Sequence, residues 1–173
     1  MLWVKVPRNM RDGDLRLRPF RIFDGPCVKS GMNNETALTS AGAGMPFHGS
    51  WLSMWWWIKK TYECPFCIEL DSTPIGFIGL YHMIPAESAD ISLVLFEKRV
   101  RRKGYGTRAF RLITANLQQY SAVKRIQATA RRDNEGALSF WIKMGFSQTA
   151  VRDDVVQLTL DVNISGKRHP TFA

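Results

Sequence analysis

The stretch from residue 101 to residue 107 constrains this 173-residue chain more than any other part of it. Three basic side chains precede a Gly-Tyr-Gly-Thr run there. Before this stretch, the apolar side chains of residues 89–96 alternate as in a strand. At its end begin residues 105–119, whose apolar side chains recur with helical spacing. Two glycines allow a tight turn, and a helix start offers unpaired N–H groups and the positive end of its dipole. This combination favours a bound pyrophosphate.

A dinucleotide fingerprint is the first alternative for this loop. Gly104, Gly106 and Ala109 fit its G-x-G-x-x-A form. That fingerprint requires the first glycine directly after the strand and an acidic residue about 20 positions later. Residues 97–103 intervene here, and Lys124 and Arg125 stand where the acid should be. The sequence therefore excludes this alternative.

Two further interpretations of the loop stay open. Five of the six residues 98–103 are basic, which is also typical of a nucleic-acid patch or a localisation signal. The other interpretation is an ordinary basic loop before a helix. The formal net charge of +9 lies almost wholly in residues 101–173, which carry thirteen basic and five acidic residues. Such asymmetry indicates an anionic partner.

Composition excludes several classes of protein. Apolar residues make up 45% of the chain, with six Trp and ten Phe, so it is not a disordered segment. No run of about 18 apolar residues exists, which predicts no membrane span. Residues 1–14 lack the apolar stretch of a secretory signal, and three cysteines are an odd number for a disulfide framework. We therefore expect a cytoplasmic protein.

The order of predicted elements indicates one mixed α/β domain over residues 1–173, with a lead-in at 1–13 and a tail at 165–173. Strands, helices and strands follow one another with short connections, as in a domain built on a single sheet. The predicted strands cover residues 15–20, 66–70, 75–82, 89–96, 125–130 and 155–162, with a four-residue turn at 71–74 and room for one more strand near the C-terminus. The predicted helices lie within residues 27–38 and cover 51–60, 105–119 and 134–144.

Two motifs resemble those of the GNAT superfamily of acetyl-CoA-dependent N-acetyltransferases. The family's [R/Q]-x-x-G-x-[G/A] motif at a helix start is matched by Arg101, Gly104 and Gly106. A second motif, downstream of the next strand, is matched in register by Asn134, Ala137, Trp141, Gly145 and Phe146. The resemblance implies a single central, mostly antiparallel sheet of six to seven strands flanked by helices.

The resemblance also implies an activity. The chain would move an acetyl group from acetyl-CoA to a primary amine by direct transfer in a ternary complex, without a metal. A small amine, an antibiotic amine and a protein N-terminus all fit as acceptor. The alternative is a non-catalytic module that binds CoA or, through its basic part, nucleic acid. We expect no membrane partner, regard nucleic acid as the weaker partner, and leave a homodimer open.

The same resemblance assigns the cofactor site residue by residue. The pantetheine arm would lie along the strand at Val94 and Phe96, and Asn134, Phe140 and Trp141 would contact it. The pyrophosphate would sit on the loop formed by Arg101, Arg102, Lys103, Gly104, Tyr105, Gly106 and Thr107.

Acetyl transfer needs a neutral amine, a donor for the oxyanion, and a leaving thiolate that is protonated or tolerated. By resemblance the oxyanion donor is a main-chain N–H near Val94, and Asp90 and Glu69 are the candidate bases. Many members carry a tyrosine acid where this chain has Trp141, whose indole cannot deliver a proton as a phenol does. Tyr105, Tyr81, Ser139 or water would replace it, or catalysis would be weak.

The remaining candidate site residues lie between residues 51 and 90. Trp56 and Trp57 belong to a run of adjacent aromatic residues that cannot all face inward on one helix, so they line an acceptor pocket or join the core. Tyr81 is a further pocket candidate. A strongly cationic acceptor would need an acidic pocket, which Glu63, Glu69, Asp71, Glu87 and Asp90 could form.

A lone Cys64-x-x-Cys67 pair completes the set of motifs. It supplies only two of the four ligands that structural zinc needs. We therefore expect two thiols that are buried or half-buried, and no metal site.

Overall fold

The computed structural model describes residues 7–32 and 49–162. The strands in this part are β1 (Met10–Asp12), β2 (Leu15–Pro19), β3 (Cys64–Leu70), β4 (Thr73–Ile84), β5 (Ser88–Leu95), β6 (Arg125–Arg131), β7 (Ser147–Arg152) and β8 (Val155–Asp161). The α-helices are α1 (Gly25–Met32), α2 (Trp51–Thr61), α3 (Tyr105–Tyr120) and α4 (Glu135–Lys143), with short 3-10 turns at Ile22–Asp24 and Lys98–Val100. The predicted lead-in is described only from residue 7, and the predicted tail and the second half of the 27–38 helix lie outside the described residues.

All eight strands of the described residues form one sheet in the order β1-β2-β3-β4-β5-β6-β8-β7. Every neighbouring pair is antiparallel except β5 and β6. The prediction of a single, mostly antiparallel sheet flanked by helices is confirmed, with eight strands instead of six or seven. Strand β1 has only three residues, and β7 is exposed along nearly its whole length, so neither shows the alternation that marks a strand.

Two hydrophobic cores cover the two faces of the sheet. One core lies under α3 and α4 and includes Ile91 of β5 and Ile113 of α3. The other lies under α1 and α2 and includes Met54 of α2, Phe77 of β4 and Val94 of β5. Because successive side chains of a strand point to opposite faces, β5 contributes alternate residues to both cores.

The β3–β4 connection is tighter than the four-residue turn predicted for residues 71–74. Leu70 pairs with Thr73, so only Asp71 and Ser72 form the turn. Their φ angles are 45° and 67°, positive at both central positions as in a type I′ hairpin turn. Thr73 and Pro74 already belong to β4.

Strands β5 and β6 meet only briefly. Their parallel pairing covers three residue pairs and ends where Asp90 faces Gln127. Beyond that point the described residues record no pairing between them, so the two strands diverge and leave a gap bordered by residues 91–95 of β5. The loop before α3 begins at the open end of this gap.

In the part of the chain that the structure describes, no helix combines the length and apolar character needed to cross a bilayer.

Candidate active site

The loop before α3 has the geometry of an anion cradle. Gly104 caps α3 with φ 84° and ψ −5°, in the left-handed region. Arg102 also has a positive φ, 57°. A left-handed residue followed by a helical turn directs successive N–H groups into one concave surface, and the first N–H groups of a helix have no partner inside it. Arg102, Lys103 and Gly104 are exposed at this surface.

Arg101 fixes this loop to the end of β5. Its guanidinium donates two hydrogen bonds to the carbonyl oxygen of Leu95, 3.1 Å from Nε and 2.7 Å from Nη2. Burial lowers the pKa of Arg101 from its ordinary value. The side chain is therefore engaged inside the protein, and its support for the predicted phosphate site is through the position of the loop.

A second arginine anchors the start of α3 from the other side. Arg108 forms ion pairs with Asp12 (Nε–Oδ2, 2.7 Å) and Asp14 (Nη2–Oδ1, 2.6 Å) in the β1–β2 hairpin. The hydrogen bond from Arg108 lowers the pKa of Asp14. The N-terminal turn of α3 is thus held at a set distance from the sheet.

The main-chain groups at the free edge of β5 belong to residues one position away from those predicted to bind the pantetheine arm. The Phe96 N–H donates to the carbonyl of Ile75 at 2.9 Å, so this group is used within the sheet. Because successive residues of a strand direct their main-chain groups to opposite edges, Val94 also faces β4, while Leu93 and Leu95 face the gap. The Leu95 carbonyl is taken by Arg101. The main-chain groups of Val94 and Phe96 are therefore turned to β4, and the groups at the gap are those of Leu93 and the Leu95 N–H.

The predicted helix 134–144 is confirmed as α4, and Asn134 is its N-cap. The Asn134 Oδ1 accepts a hydrogen bond from the Ala137 N–H at 3.0 Å, and Gly145, with φ 95°, follows the helix end. This cap fixes the start of α4 beside the gap. The predicted contact of Asn134 with the pantetheine arm stays a prediction.

Phe140 and Trp141 have different environments. Trp141 is 5% exposed and packs edge to face on Phe110, with ring centroids 5.9 Å apart, inside the α3–α4 core. Phe140 is half-buried, and its ring and the Leu93 side chain both lie 3.5 Å from the position of a Cβ on Gly106. Of the two residues predicted beside the arm, Phe140 borders the gap, and Trp141 belongs to the core.

Asp90 stands where β5 and β6 separate, and it holds a histidine. The Asp90 Oδ2 lies 3.0 Å from Nδ1 of His82. His82 sits at a register shift in β4, with φ 46°, and its side chain is 77% exposed. A carboxylate on Nδ1 orients the ring and leaves Nε2 towards solvent. Sequence reasoning missed His82 because the irregularity that turns its ring to Asp90 has no clear residue pattern.

Glu69, the other predicted base, lies in a buried ion network. Its Oε2 accepts a hydrogen bond from Nε of Arg18, which also binds both carboxylate oxygens of Asp24 at 2.7 and 2.8 Å. Glu69 pairs with Pro74 of β4, and Asp90 pairs with Tyr81 of the same strand. Pro74 and Tyr81 are seven residues apart, which is roughly 23 Å along β4 at 3.3 Å per residue. The structure thus places Glu69 far from the divergence of β5 and β6, paired with a cation.

An aromatic row crosses the face of the sheet next to His82. Tyr62, at the end of α2, lies between Trp57 and Tyr81, with centroid distances of 6.1 and 5.2 Å, and Tyr81 contacts the His82 ring at 4.9 Å. Trp57 is 41% exposed and Trp56 is 62% exposed, so neither belongs to the core. Their place in an acceptor pocket stays a prediction, as does that of Tyr81.

Tyr62 is a further residue of this row that the sequence did not single out. A Cβ on Gly79 would lie 2.7 Å from Cδ1 of Tyr62, so the ring rests directly over that glycine. Burial raises the pKa of Tyr62 to about 12, and a hydrogen bond with the Ser92 hydroxyl opposes this rise. By contrast, Tyr105 is half-buried and packs against the core under α3 and α4, on the other face of the sheet.

Sequence and structure comparisons place these features in a family. A family model described as an acetyltransferase (GNAT) domain matches residues 14–147. The chain belongs to the GNAT acetyltransferase family. Its acyl donor is accordingly acetyl-CoA, and the loop with its unpaired helix-start N–H groups fits the donor's pyrophosphate. A search of curated proteins found no match.

Solved structures show the same fold at low sequence identity. A GNAT acetyltransferase from Bacillus anthracis has a TM-score of 0.72 at 15% identity, covering 93% of this chain and 99% of its own. RimL, a ribosomal L7/L12 alpha-N-protein acetyltransferase in complex with coenzyme A, has a TM-score of 0.75 at 13% identity. The match covers 90% of this chain and 97% of that of RimL. An acetyltransferase from Thermus thermophilus has a TM-score of 0.69 at 19% identity, and the match covers 85% of this chain and 96% of that one.

The GNAT domain also carries a polar cleft on β6, β7 and β8, on the face away from α3 and α4. Its volume is about 550 Å³, and Gln157 Nε2 donates to Gln127 Oε1 across it at 2.7 Å. Gln127 pairs with Asp90, so the cleft adjoins the divergence point. The cleft's charged side chains, Arg125 and Asp161, pair with each other at 3.5 Å. Its lining residues are Arg125, Gln127, Gly145, Ser147, Thr149, Gln157, Thr159, Leu160 and Asp161.

Only some of the acidic residues proposed for a cationic acceptor lie at the same end of the sheet as Asp90: Glu63 is beside Met83, next to His82, and Glu87 is in the β4–β5 connection. Glu69 is bound to Arg18, and Glu63 Oε1 accepts the Met83 N–H at 2.9 Å. Asp71 is in the β3–β4 turn, at the opposite end of β4 from Asp90. A pocket formed by all five acidic residues is therefore not present, and an acidic set at Glu63, Glu87 and Asp90 stays a prediction.

The cysteines of the GNAT domain are free thiols, as predicted. Cys64 is half-buried and Cys67 is buried. Burial raises the pKa of both, that of Cys67 to about 12. Cys64 packs against one core and Cys67 belongs to the other, so they lie on opposite faces of β3. Among the residues that the structure describes, no three His, Cys, Asp or Glu side chains group as metal ligands.

Proposed function

We propose that this GNAT protein is an N-acetyltransferase that transfers acetyl directly from acetyl-CoA to a primary amine in a ternary complex. The observation that carries the proposal is the pair formed by Asp90 and His82 where β5 and β6 diverge. This pair lies at the closed end of the gap, and the phosphate loop lies at its open end. A donor that extends from loop to gap would present its thioester next to the pair.

The proposed binding mode follows from the unpaired edge of β5. The pantetheine arm carries amide groups that pair with a strand edge as an added strand does. The N–H groups of Leu93 and Leu95 face the gap, and Phe140 closes its α4 side. The Leu93 N–H is the proposed donor to the thioester oxygen, where negative charge develops as the amine attacks.

His82 is the proposed base. A primary amine is mostly protonated at neutral pH and must lose a proton before or during attack. Asp90 holds Nδ1, so Nε2 accepts the proton from the amine directly or through water. Imidazole is suited to this step because one ring nitrogen can accept a proton while the other donates to the carboxylate.

Direct transfer is favoured over an acetyl-cysteine intermediate by the state of the thiols. A nucleophilic cysteine must be accessible and ionised. Burial raises the pKa of Cys27, Cys64 and Cys67, which keeps all three protonated at neutral pH. None of these cysteines is exposed.

The polar cleft supports an acceptor whose amine is attached to an uncharged, hydrogen-bonding group. Amide and hydroxyl side chains such as Gln127, Thr149 and Thr159 can both donate and accept. A peptide with a free N-terminus fits this lining better than a polycationic antibiotic does. RimL, which shares the fold, acts on a protein N-terminus, and this is consistent with the assignment.

The test measures CoA release from acetyl-CoA in the presence of neutral peptides, small amines and aminoglycosides. We expect turnover with peptides, and a loss of at least tenfold in kcat for His82→Gln with little change in acetyl-CoA affinity. Lys143→Gln, an exposed change at the end of α4, is the matched control.

Two results would reject the proposal. If the protein binds acetyl-CoA but releases CoA with none of these amines, it is a CoA-binding module. If it binds oligonucleotides with a steep salt dependence and does not bind acetyl-CoA, the basic part serves nucleic acid.

A further inference from the structure

The general-acid position of this family is occupied by a residue that cannot reach the donor. Trp141 is buried against Phe110 and Phe146 inside the α3–α4 core. Its indole N–H is not acidic enough to protonate a thiolate. Another group must therefore stabilise the departing sulfur if acetyl transfer is efficient.

Strand register places one hydroxyl pair beside the gap. Ser92 faces Gly79 across β4 and β5, and the Tyr62 ring lies over Gly79. The Tyr62 ring thus lies over the pairing of β4 with β5, beside Ser92. Ser92 is half-exposed, whereas Tyr62 is nearly buried by its neighbours Phe77 and Tyr81.

Ser92 also stands next to the group that would bind the thioester. It precedes Leu93, whose main-chain N–H faces the gap, and it lies on the same face of β5 as Asp90. Gly79 is required for this arrangement, because any side chain there would displace the Tyr62 ring.

We propose that the Ser92 hydroxyl donates to the CoA sulfur as the thioester breaks, and that Tyr62 positions Ser92 and supplies its proton. This inference rests on the proposed acetyl transfer and adds a catalytic residue, Ser92, and a positioning residue, Tyr62. It assigns the acid function to the α1–α2 face of the sheet, opposite to Trp141.

Protons and electrons balance along this route. The amine nitrogen bonds to the carbonyl carbon, the C–S bond breaks, and sulfur keeps the bonding pair. The Ser92 proton moves to sulfur, and the Tyr62 proton moves to the Ser92 oxygen. The ammonium form of the amine loses two protons in all, one before attack and one as the amide forms, and both leave through His82 to solvent. One solvent proton returns to Tyr62 through Ser92. The high pKa of Tyr62 keeps the phenol protonated and ready to donate at neutral pH.

The test uses CoA alone and so needs no acceptor. CoA bound to excess protein is alkylated with iodoacetamide at a series of pH values, and mass spectrometry of the CoA adduct separates it from protein cysteines. A hydroxyl donor at the sulfur favours the thiolate and lowers the pKa of the bound CoA thiol. We expect Ser92→Ala and Tyr62→Phe each to raise this thiol pKa by about one unit, a tenfold change in thiolate-to-thiol ratio.

Two variants make the assignment specific. Gly79→Ala keeps both hydroxyls but displaces the Tyr62 ring, so it should reproduce the shift of Tyr62→Phe. Tyr120→Phe removes an exposed hydroxyl at the end of α3 and should leave the thiol pKa unchanged. Circular dichroism and the Kd for CoA show whether each variant is folded.

Failure of this inference is distinguishable from failure of the proposed function. If wild type binds CoA and neither Ser92→Ala nor Tyr62→Phe moves the thiol pKa, the hydroxyl pair has no role at the sulfur, while acetyl transfer by His82 still stands. If wild type does not bind CoA, both proposals fall.

Discussion

The guanidinium of Arg101 closes the end of β5 by donating to the carbonyl of Leu95 through two of its nitrogens. In the GNAT motif this arginine would be expected to meet phosphate, because it stands first in the loop. Here its guanidinium fixes the backbone of the loop whose N–H groups are the proposed site for the pyrophosphate. The distinction is measurable.

Arg101→Met should weaken CoA binding about tenfold or more, because hydrogen bonds to a charged group contribute about 1.5–3 kcal/mol and the loop loses its anchor. Titration calorimetry with CoA measures this, and Arg152→Met on exposed β7 is the control. The same variant should also destabilise the ligand-free protein, because the Leu95 carbonyl loses its donors. Weaker CoA binding with unchanged stability of the free protein would show that Arg101 contacts the ligand directly.

Gly104→Ala should destabilise the free protein by about 1–2 kcal/mol, because φ 84° is costly for a residue with a Cβ. No atom of the described residues lies within 4 Å of that Cβ position, so the cost comes from the backbone and not from a clash. Gly104→Asn should cost less, since Asn tolerates the left-handed region. Urea unfolding compares the variants; equal stability of Ala and Gly at this position would contradict the argument.

Asp24→Asn should destabilise the protein by about 2 kcal/mol at pH 7, because it breaks a buried, charge-assisted pair with Arg18. Burial alone raises the pKa of Asp24, but the hydrogen bonds from Arg18 and the Arg21 N–H outweigh it and hold the pKa below 3.8. A lowered pKa means that this stability is present above the ordinary pKa of the carboxyl and is lost as the pH falls through the lower, folded value.

The difference between wild type and Asp24→Asn should therefore shrink below about pH 3.8, as denaturation at several pH values would show. Asp133→Asn is the matched control, since Asp133 pairs with Arg131 at the surface and its pKa is also lowered. Exposed pairs contribute little to stability, so the control should change it only slightly. A difference for Asp24→Asn that is constant down to about pH 2.5, well below the ordinary carboxyl pKa, would exclude the ionised pair as its cause.

Arg18→Met should be more damaging than Asp24→Asn, because it takes the bound guanidinium away from two buried carboxylates, Asp24 and Glu69. Removing one partner of a buried ion pair costs about 3–5 kcal/mol. In a chain of this size the melting temperature should fall by roughly 6–20 °C, at about 2–4 °C per kcal/mol. Differential scanning calorimetry tests this, and restored stability in Arg18→Met with Asp24→Asn and Glu69→Gln would confirm the cause.

The elements that could be predicted from the sequence are those whose signals lie close together along the chain. The loop at Gly104 and the helix capped by Asn134 were predicted because a cap, a glycine and an apolar period occur within a few residues of each other. Strand β7 was predicted only as one more possible strand without bounds, because nearly all its side chains are exposed and its pairing with β8 leaves no alternation in the sequence.

The candidate site was less predictable because its contacts join distant segments. Glu69 resembled Asp90 in sequence, and only the pairing of β2 with β3 shows that Arg18 neutralises it. His82 reaches Asp90 through a register shift, and Tyr62 reaches Ser92 because Gly79 leaves room for its ring. Each of these depends on alignment between strands, which no single segment encodes.

The divergence of β5 and β6 has a consequence for how the molecule unfolds. Within the described residues, strand pairing across this boundary covers three residue pairs, and the Glu87 carbonyl just before β5 also accepts from the N–H groups of Lys124 and Arg125. Acetyl-CoA bound in the gap would complete the hydrogen bonding of the β5 edge, so the donor would be an element of the fold as well as a reactant. Amide protons of Leu93 and Leu95 should then exchange rapidly in the free protein and slowly in the complex, and the ligand should add to the coupling that the core under α3 and α4 already gives the two halves.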